Sequence, residues 1–395
     1  MDIQTTRRVY ARMTYLAYCG LKGIPPRTEL LDGVDISAIS AAARRHSIGA
    51  LVYRALDSVG LASKDLVRDY SSAVRSIILL DAERAAIQAW MEEQGIRHMP
   101  LKGVVLKEYY PEIGMRQMAD NDILFDEKYR KVVREYFKSR GYEVKCYNRG
   151  NHDVYMKRPV YNYEMHVSLF SHGYLRPMRE RFIKALDDAI LDEGTSYRYH
   201  MDDNEYYIYI KCHEYKHYTH GGMGIRFFID NYVIMNAIGD RLDLDFISRE
   251  CNRIGMGDYE SRTRALAMRL FDTDLTERLC LHDGFDEGDP LTPAERELYD
   301  FSCFAGTYGT VAQHMATDLA KIEEERGVSV RGAKVRYFFR RLVLPMSAYQ
   351  TSHPFLYKHK WLIPLHVIWR PIGALLTRPK RVISQIGMLI KFKKK

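Results

Sequence analysis

The stretch RQMADNDILF, residues 116–125, decides how the middle of this chain folds. Asp120 and Asp122 stand two apart, just ahead of the apolar run Ile123-Leu124-Phe125. On a β-strand, residues two apart project from the same face, so the two acids point together while Asn121 and Ile123 face the other side. Like charges that close repel, and burying them without a partner costs several kcal/mol. Either they are solvated at a strand end, or something cationic lies between them. A hard divalent cation is the natural tenant, since Mg²⁺ often takes one or two carboxylates together with substrate phosphates.

Working outward, helix and strand patterns alternate. IRHMPL (96–101) reads as a short strand with Gly103 at the turn after it, and VVLKEYYP (104–111) as a helix ended by Pro111. DNDILF (120–125) is a strand, and EKYRKVVREYFKSRG (127–141) an amphipathic helix stopped by Gly141. YEVKCYN (142–148), HDVYMKR (152–158) and YNYEMHVSLF (161–170) give three more strands, with RGN (149–151) as a hairpin turn. The fold class expected is α+β, with a small mixed-sheet core over residues 96–175. A helical amino-terminal region, 1–95, precedes it; a helical domain, 176–330, and a basic tail, 331–395, follow.

A third carboxylate, Glu164, stands between Tyr163 and Met165 in a strand pattern. If that strand lies beside the Asp120/Asp122 strand, three carboxylates can hold two metal ions, an arrangement suited to in-line phosphoryl or nucleotidyl transfer. Upstream, Leu101-Lys102-Gly103 ends one strand and opens a helix. Glycine lets a phosphate approach the backbone, a helix amino terminus attracts anions, and Lys102 and Arg116 add positive charge for a polyphosphate. The bland alternative is a solvated acidic turn, with Glu164 ion-paired to Lys157 or Arg158.

The order Leu-Lys-Gly, Tyr110-Pro111, Arg116-xxx-Asp120-x-Asp122, Gly141-Tyr142 and Glu164-x-His166 resembles the uncharacterised bacterial nucleotidyltransferases of the DNA polymerase β superfamily over residues 97–170. The likeness extends more loosely to HEYKH (213–217), to GIRFFID (224–230) and to HPFLYKHKWLIPLHVIWRPI (353–372). It implies a transferase that moves a nucleoside monophosphate from an NTP to the hydroxyl of an unspecified acceptor, with Mg²⁺ or Mn²⁺ as cofactor. Asp120, Asp122 and Glu164 would be catalytic metal ligands, and Lys102, Gly103 and Arg116 would meet the nucleotide. Two positions depart from the pattern: Val104 follows the glycine, and Asn121 separates the aspartates.

Two other readings compete. The fold can be retained, without catalysis, as a binding or toxin–antitoxin interaction module. A formal H-E-x-x-H, His213-Glu214-xx-His217, suggests a zinc metallopeptidase, although Lys216 puts a positive charge inside the motif and His220 follows too soon for the common third ligand. His213, His217, Arg226 and Asp230 either line a substrate cleft or form a buried polar network.

Composition narrows the class further. Of 395 residues, 46% are hydrophobic and 28% charged. The six cysteines form no CxxC, and the amino-terminal residues lack a signal-peptide core. A reduced, cytoplasmic protein without disulfides, cysteine zinc site or transmembrane helix is therefore expected. The net charge of +8 is uneven: residues 331–395 carry fifteen Lys or Arg and no Asp or Glu, leaving 44 basic against 51 acidic elsewhere. This tail suits peripheral contact with an anionic membrane or nucleic acid, or a solvated helix packed on the body.

Overall fold

A computed structural model describes residues 3–171, 174–282, 288–307, 309–346, 348–349 and 353–392. The last three lysines of the tail lie outside these. The chain is α+β, as its alternating patterns require: helices flank one small mixed sheet. It groups into two compact units, residues 1–216 with 223–307, and residues 217–222 with 308–395.

The sheet of the first unit has five strands: β1 (His98–Pro100), β2 (Asn121–Phe125), β3 (Glu143–Cys146), β4 (His152–Lys157) and β5 (Tyr161–His166). Their spatial order is β1-β2-β5-β4-β3. Only β2 and β5 run parallel; the remaining pairs are antiparallel. Each strand falls inside a predicted stretch, with ends trimmed by one to four residues. The predicted helix after Gly103 is a single turn, Gly103–Leu106, followed by the 3₁₀ turn Lys107–Tyr109.

Strand alternation divides the sheet into two faces. Ile123 and Phe125 of β2, Tyr155 of β4, and Tyr163 and Met165 of β5 point to one side. There they form one core with Leu80, Ile87 and Met91 of the helix Lys64–Glu93, and with Val133 and Phe137 of the helix Arg130–Ser139. Burying each such side chain contributes about 1.5–3 kcal/mol. The Ser63 side chain caps the long helix by accepting from the Leu66 amide, and Gly95 takes a positive φ of 67° just after its end. The Tyr163 hydroxyl donates to the Leu80 carbonyl at 3.0 Å, locking helix to sheet.

The opposite face carries Leu124, which packs with Met99, Leu101, Leu106 and the tyrosine-rich helix Asp203–Tyr218. Asp122, Glu164, His166 and His152 share this face, toward the polar end of β2, β5 and β4. A buried ion pair anchors β4 from behind: Arg130 Nε and Nη2 donate to Asp153 at 2.8 and 2.7 Å.

The region read as wholly helical beyond residue 176 also holds a two-strand pair, Ile190–Leu191 with Tyr199–His200. The second unit is helical among its described residues. Val311–Arg326, opened by a Thr310/Gln313 capping box, packs with Val330–Leu342 around Met315, Leu319, Ile322 and Ala333. The basic tail continues through Ile363–Thr377 and Pro379–Lys391.

Candidate functional site

The parallel pairing of β2 with β5 sets Asp122 directly opposite Glu164. Asp120 lies one residue before β2 begins. The expected division of RQMADNDILF holds: Asn121 turns to the far face, where its amide donates to the Leu80 carbonyl and its oxygen accepts from Arg84. Asp122 turns to the near face and is buried.

A cation does touch Asp122, and it belongs to the chain. Lys102 Nζ donates to Asp122 Oδ1 at 2.6 Å. The lysine reaches it from a backbone with φ 47°, ψ −120°, a conformation that costs an L-residue about 1–3 kcal/mol. Three hydrogen bonds to its carbonyl hold it there, from the amides of Val105 and Leu106 and from the Tyr206 hydroxyl. Asp122 Oδ1 also lies 2.8 Å from His166 Nε2. Glu164 Oε2 is 3.6 Å from His166 Nε2 and 3.8 Å from His152 Nε2, so histidines, and not Lys157 or Arg158, are its partners.

The acids respond differently to this setting. Burial pushes every carboxyl up, but Lys102 and the His166 hydrogen bond hold Asp122 far below its usual range. Glu164 is lowered less: burial and Asp122 raise it, while His166, Lys102 and His152 draw it down. Asp120 goes the other way, to about 6, because, half-buried, it loses solvation and is repelled by Asp122 and Glu164. Burial lowers His152, favouring its neutral ring.

The predicted nucleotide contacts separate. Lys102 is at the carboxylates. Gly103 is buried against Arg116 and Met118; a Cβ there would come within 2.4 Å of Arg116 Nη1, so the glycine makes room for that side chain. Arg116 is itself buried and committed: Nε and Nη2 donate to Asp230 at 2.9 and 3.2 Å, and Tyr110 donates to the same carboxylate at 2.7 Å. Asp230 therefore belongs to a buried polar network. Arg226, one helical turn earlier, is different. Its Nε is buried without a hydrogen-bond partner among the described residues, and its charge acts on Asp120.

The H-E-x-x-H residues lie on the helix Asp203–Tyr218. Glu214 is buried and accepts from Lys211 at 2.9 Å and from Asn231 at 3.0 Å. Lys211 also donates to Asn231 and Thr263, both at 2.7 Å. A zinc protease needs this glutamate free to work on water, whereas here it is the counter-ion of a buried lysine. Among the described residues, the group of potential ligand atoms drawn within 4.8 Å of one another is instead His152, Glu164 and His166. His166 was visible in the sequence two residues after Glu164; His152 was not singled out, because only the β4–β5 register makes it their neighbour.

The donor set fits a divalent cation. Asp120 is a half-buried acid whose ionisation is opposed by lost solvation and by two neighbouring carboxylates, and a bound cation is what would offset that repulsion. Fold and site together define a small mixed sheet presenting paired carboxylates from adjacent parallel strands. The chain belongs to the family of uncharacterised nucleotidyltransferases, which it matches over residues 32–272. Among curated proteins and solved structures, none matches it. No helix among the described residues is long and apolar enough to cross a membrane.

Proposed function

We propose that this protein is a metal-dependent nucleotidyltransferase of the DNA polymerase β-like type, its catalytic core lying within residues 96–175. The observation that carries the reading is the register of Asp122 opposite Glu164 on one sheet face, with Asp120 beside them and Lys102 among them. Asp120, Asp122 and Glu164 would hold Mg²⁺ or Mn²⁺, which supplies charge for the attacking and leaving oxygens of an in-line displacement.

The chain's own groups do the rest. Lys102 and Arg226 meet the triphosphate, in place of the committed Arg116. The acceptor hydroxyl oxygen bonds to the α-phosphorus of the NTP as the bond to the β-phosphate bridging oxygen breaks, and pyrophosphate leaves. Glu164, the most accessible of the three acids to an incoming acceptor, takes the hydroxyl proton. The test incubates the protein with each labelled NTP, a divalent cation and a cell extract. Labelled product from wild type, absent from Asp120→Ala/Asp122→Ala, supports transfer. Equal product from both contradicts it, and no product from either favours a non-catalytic binding module.

The tail supports a separate reading, peripheral contact with an anionic membrane at its cytoplasmic face. Its fifteen basic and no acidic side chains are matched by large exposed apolar ones, including Trp361, Ile368, Trp369, Leu376, Ile383 and Ile390. Apolar insertion plus basic charge is the combination that holds interfacial helices on anionic lipid.

A further inference from the structure

The three carboxylates account for a hard-cation site but leave two imidazoles unexplained. His152 and His166 are register partners on β4 and β5, with ring centroids 4.9 Å apart. Both Nε2 atoms approach Glu164 Oε2, at 3.8 and 3.6 Å, and His166 Nε2 also reaches Asp122 Oδ1 at 2.8 Å. Ligand atoms around an ion at about 2.1 Å lie roughly 3.0–3.5 Å from one another, so each imidazole would close on Glu164 by a few tenths of an ångström, and the two nitrogens on each other from within 4.8 Å, to surround one ion.

The other ring nitrogen of His152 is also held. Asn151 Oδ1 lies 3.2 Å from His152 Nδ1, and accepting that N–H leaves the Nε2 lone pair directed at Glu164. Ligating histidines are held this way, by a hydrogen bond from the other ring nitrogen. His152 and Glu164 are half-buried, with side-chain exposures of 33% and 24%, which gives an ion access from solvent.

A further buried polar group lies within electrostatic reach of the same residues. Tyr209 is fully buried, and its hydroxyl has no hydrogen-bond partner among the described residues. Beyond burial itself, the charges acting on it most are Lys102, Asp122 and Glu164. A buried hydroxyl left unpaired costs about 1–3 kcal/mol, so an orphan here marks a position where a bound group or its water would accept or donate.

We propose that His152, Glu164 and His166, with Asp122 alongside, form a mixed nitrogen–oxygen site for a divalent transition-metal ion of the Mn²⁺ or Zn²⁺ class. Imidazole suits such ions, whereas Mg²⁺ is a cation of oxygen ligands. On binding, His166 exchanges its hydrogen bond to Asp122 for a coordinate bond, and the ring proton passes from Nε2 to Nδ1, which gives up its long 3.5 Å contact from the Asn151 amide nitrogen. The site stands on its own geometry; only its catalytic use rests on the nucleotidyltransferase reading. That use would be to set the metal preference of the transfer through Glu164, the ligand common to both.

The test reads the metal and not the activity. Mn²⁺ is titrated into the metal-free full chain, without nucleotide, and the bound ion is examined by pulsed EPR for coupling to imidazole ¹⁴N. The expected result is one Mn²⁺ per chain, bound at least tenfold more tightly than Mg²⁺, with nitrogen coupling reduced in both His152→Ala and His166→Gln. Circular dichroism of the metal-free variants checks that they fold, and the wild-type spectrum decides alone if one does not. Absence of nitrogen coupling in wild type, or coupling unchanged in both folded variants, overturns the proposal. Nucleotide transfer with Mg²⁺ but no nitrogen coupling leaves the enzyme reading standing without this site. Nitrogen coupling without transfer does the reverse.

Discussion

Without a bound cation, the charge on Asp120 is opposed by its surroundings. In the folded chain its carboxyl keeps a proton up to about pH 6, against an ordinary value of 3.8, because burial and then Asp122 and Glu164 oppose its charge. Below the ordinary value both folded and unfolded chains carry the neutral acid, and nothing is lost. As pH rises from 3.8 to about 6 the unfolded chain ionises ahead of the folded one, and stability falls by about 3 kcal/mol, the whole loss being in place above about 6. Asp120→Asn is therefore expected to stabilise the metal-free protein at pH 8 by about 2–3 kcal/mol, with the gain vanishing below about pH 4. Urea unfolding at several pH values measures this; a variant no more stable than wild type at pH 8 contradicts it. Such a trade of stability for function is common at catalytic sites. That Asn121 and Asp122 turn to opposite faces was legible because strand alternation is a rule of backbone geometry. The identity of the cation touching Asp122 was not, since Lys102 reaches it only through a strained backbone that no sequence pattern announces.

At the scale of elements, the site depends on three strand registers. The strands themselves could be read from alternating Tyr, Val, Ile and Met bounded by turns. Their spatial order could not, because one parallel pairing, β2 with β5, skips two strands in sequence. That pairing opposes Asp122 to Glu164, and the β4–β5 register then adds His152. Arg116 is a case where packing adds what the sequence cannot: its charge was read as a phosphate contact, and the fold pairs it with Asp230 on the helix Ile225–Ile238. The element to perturb is β4. Asp153 is wholly buried and receives two bonds from Arg130 and one from the Asn148 amide. Removing it strands a buried guanidinium, which costs about 3–5 kcal/mol. Asp153→Ala should lower the denaturation midpoint accordingly and weaken metal binding through displaced His152. A loss under about 1 kcal/mol would mean that the pair does not anchor the strand.

For the whole molecule, charge and chemistry are divided along the chain. The family match ends at residue 272 and the basic tail begins near 331, so the tail's role is separate from the carboxylate site in sequence. Its composition was plain from the sequence; which apolar side chains stay uncovered was settled only by packing, with Trp361 at 73% and Trp369 at 62% exposure. The full chain should float with phosphatidylserine-containing vesicles and not with pure phosphatidylcholine, less so as salt is raised. Trp361→Ser/Trp369→Ser should reduce this by about tenfold, since each indole contributes buried apolar area. Flotation indifferent to both lipid charge and the tryptophans would rule out the membrane contact. The central claim, transfer of a nucleoside monophosphate at Asp122 and Glu164, is tested most directly by the position of the label. NTPs carrying the isotope on the α- or the γ-phosphate are supplied in parallel with Mn²⁺ and a cell extract. Labelled acceptor is expected from the α-labelled nucleotide alone, reduced at least a hundredfold in Asp122→Asn and Glu164→Gln. Labelled acceptor from the γ-position, or equal product from wild type and both variants, would contradict it.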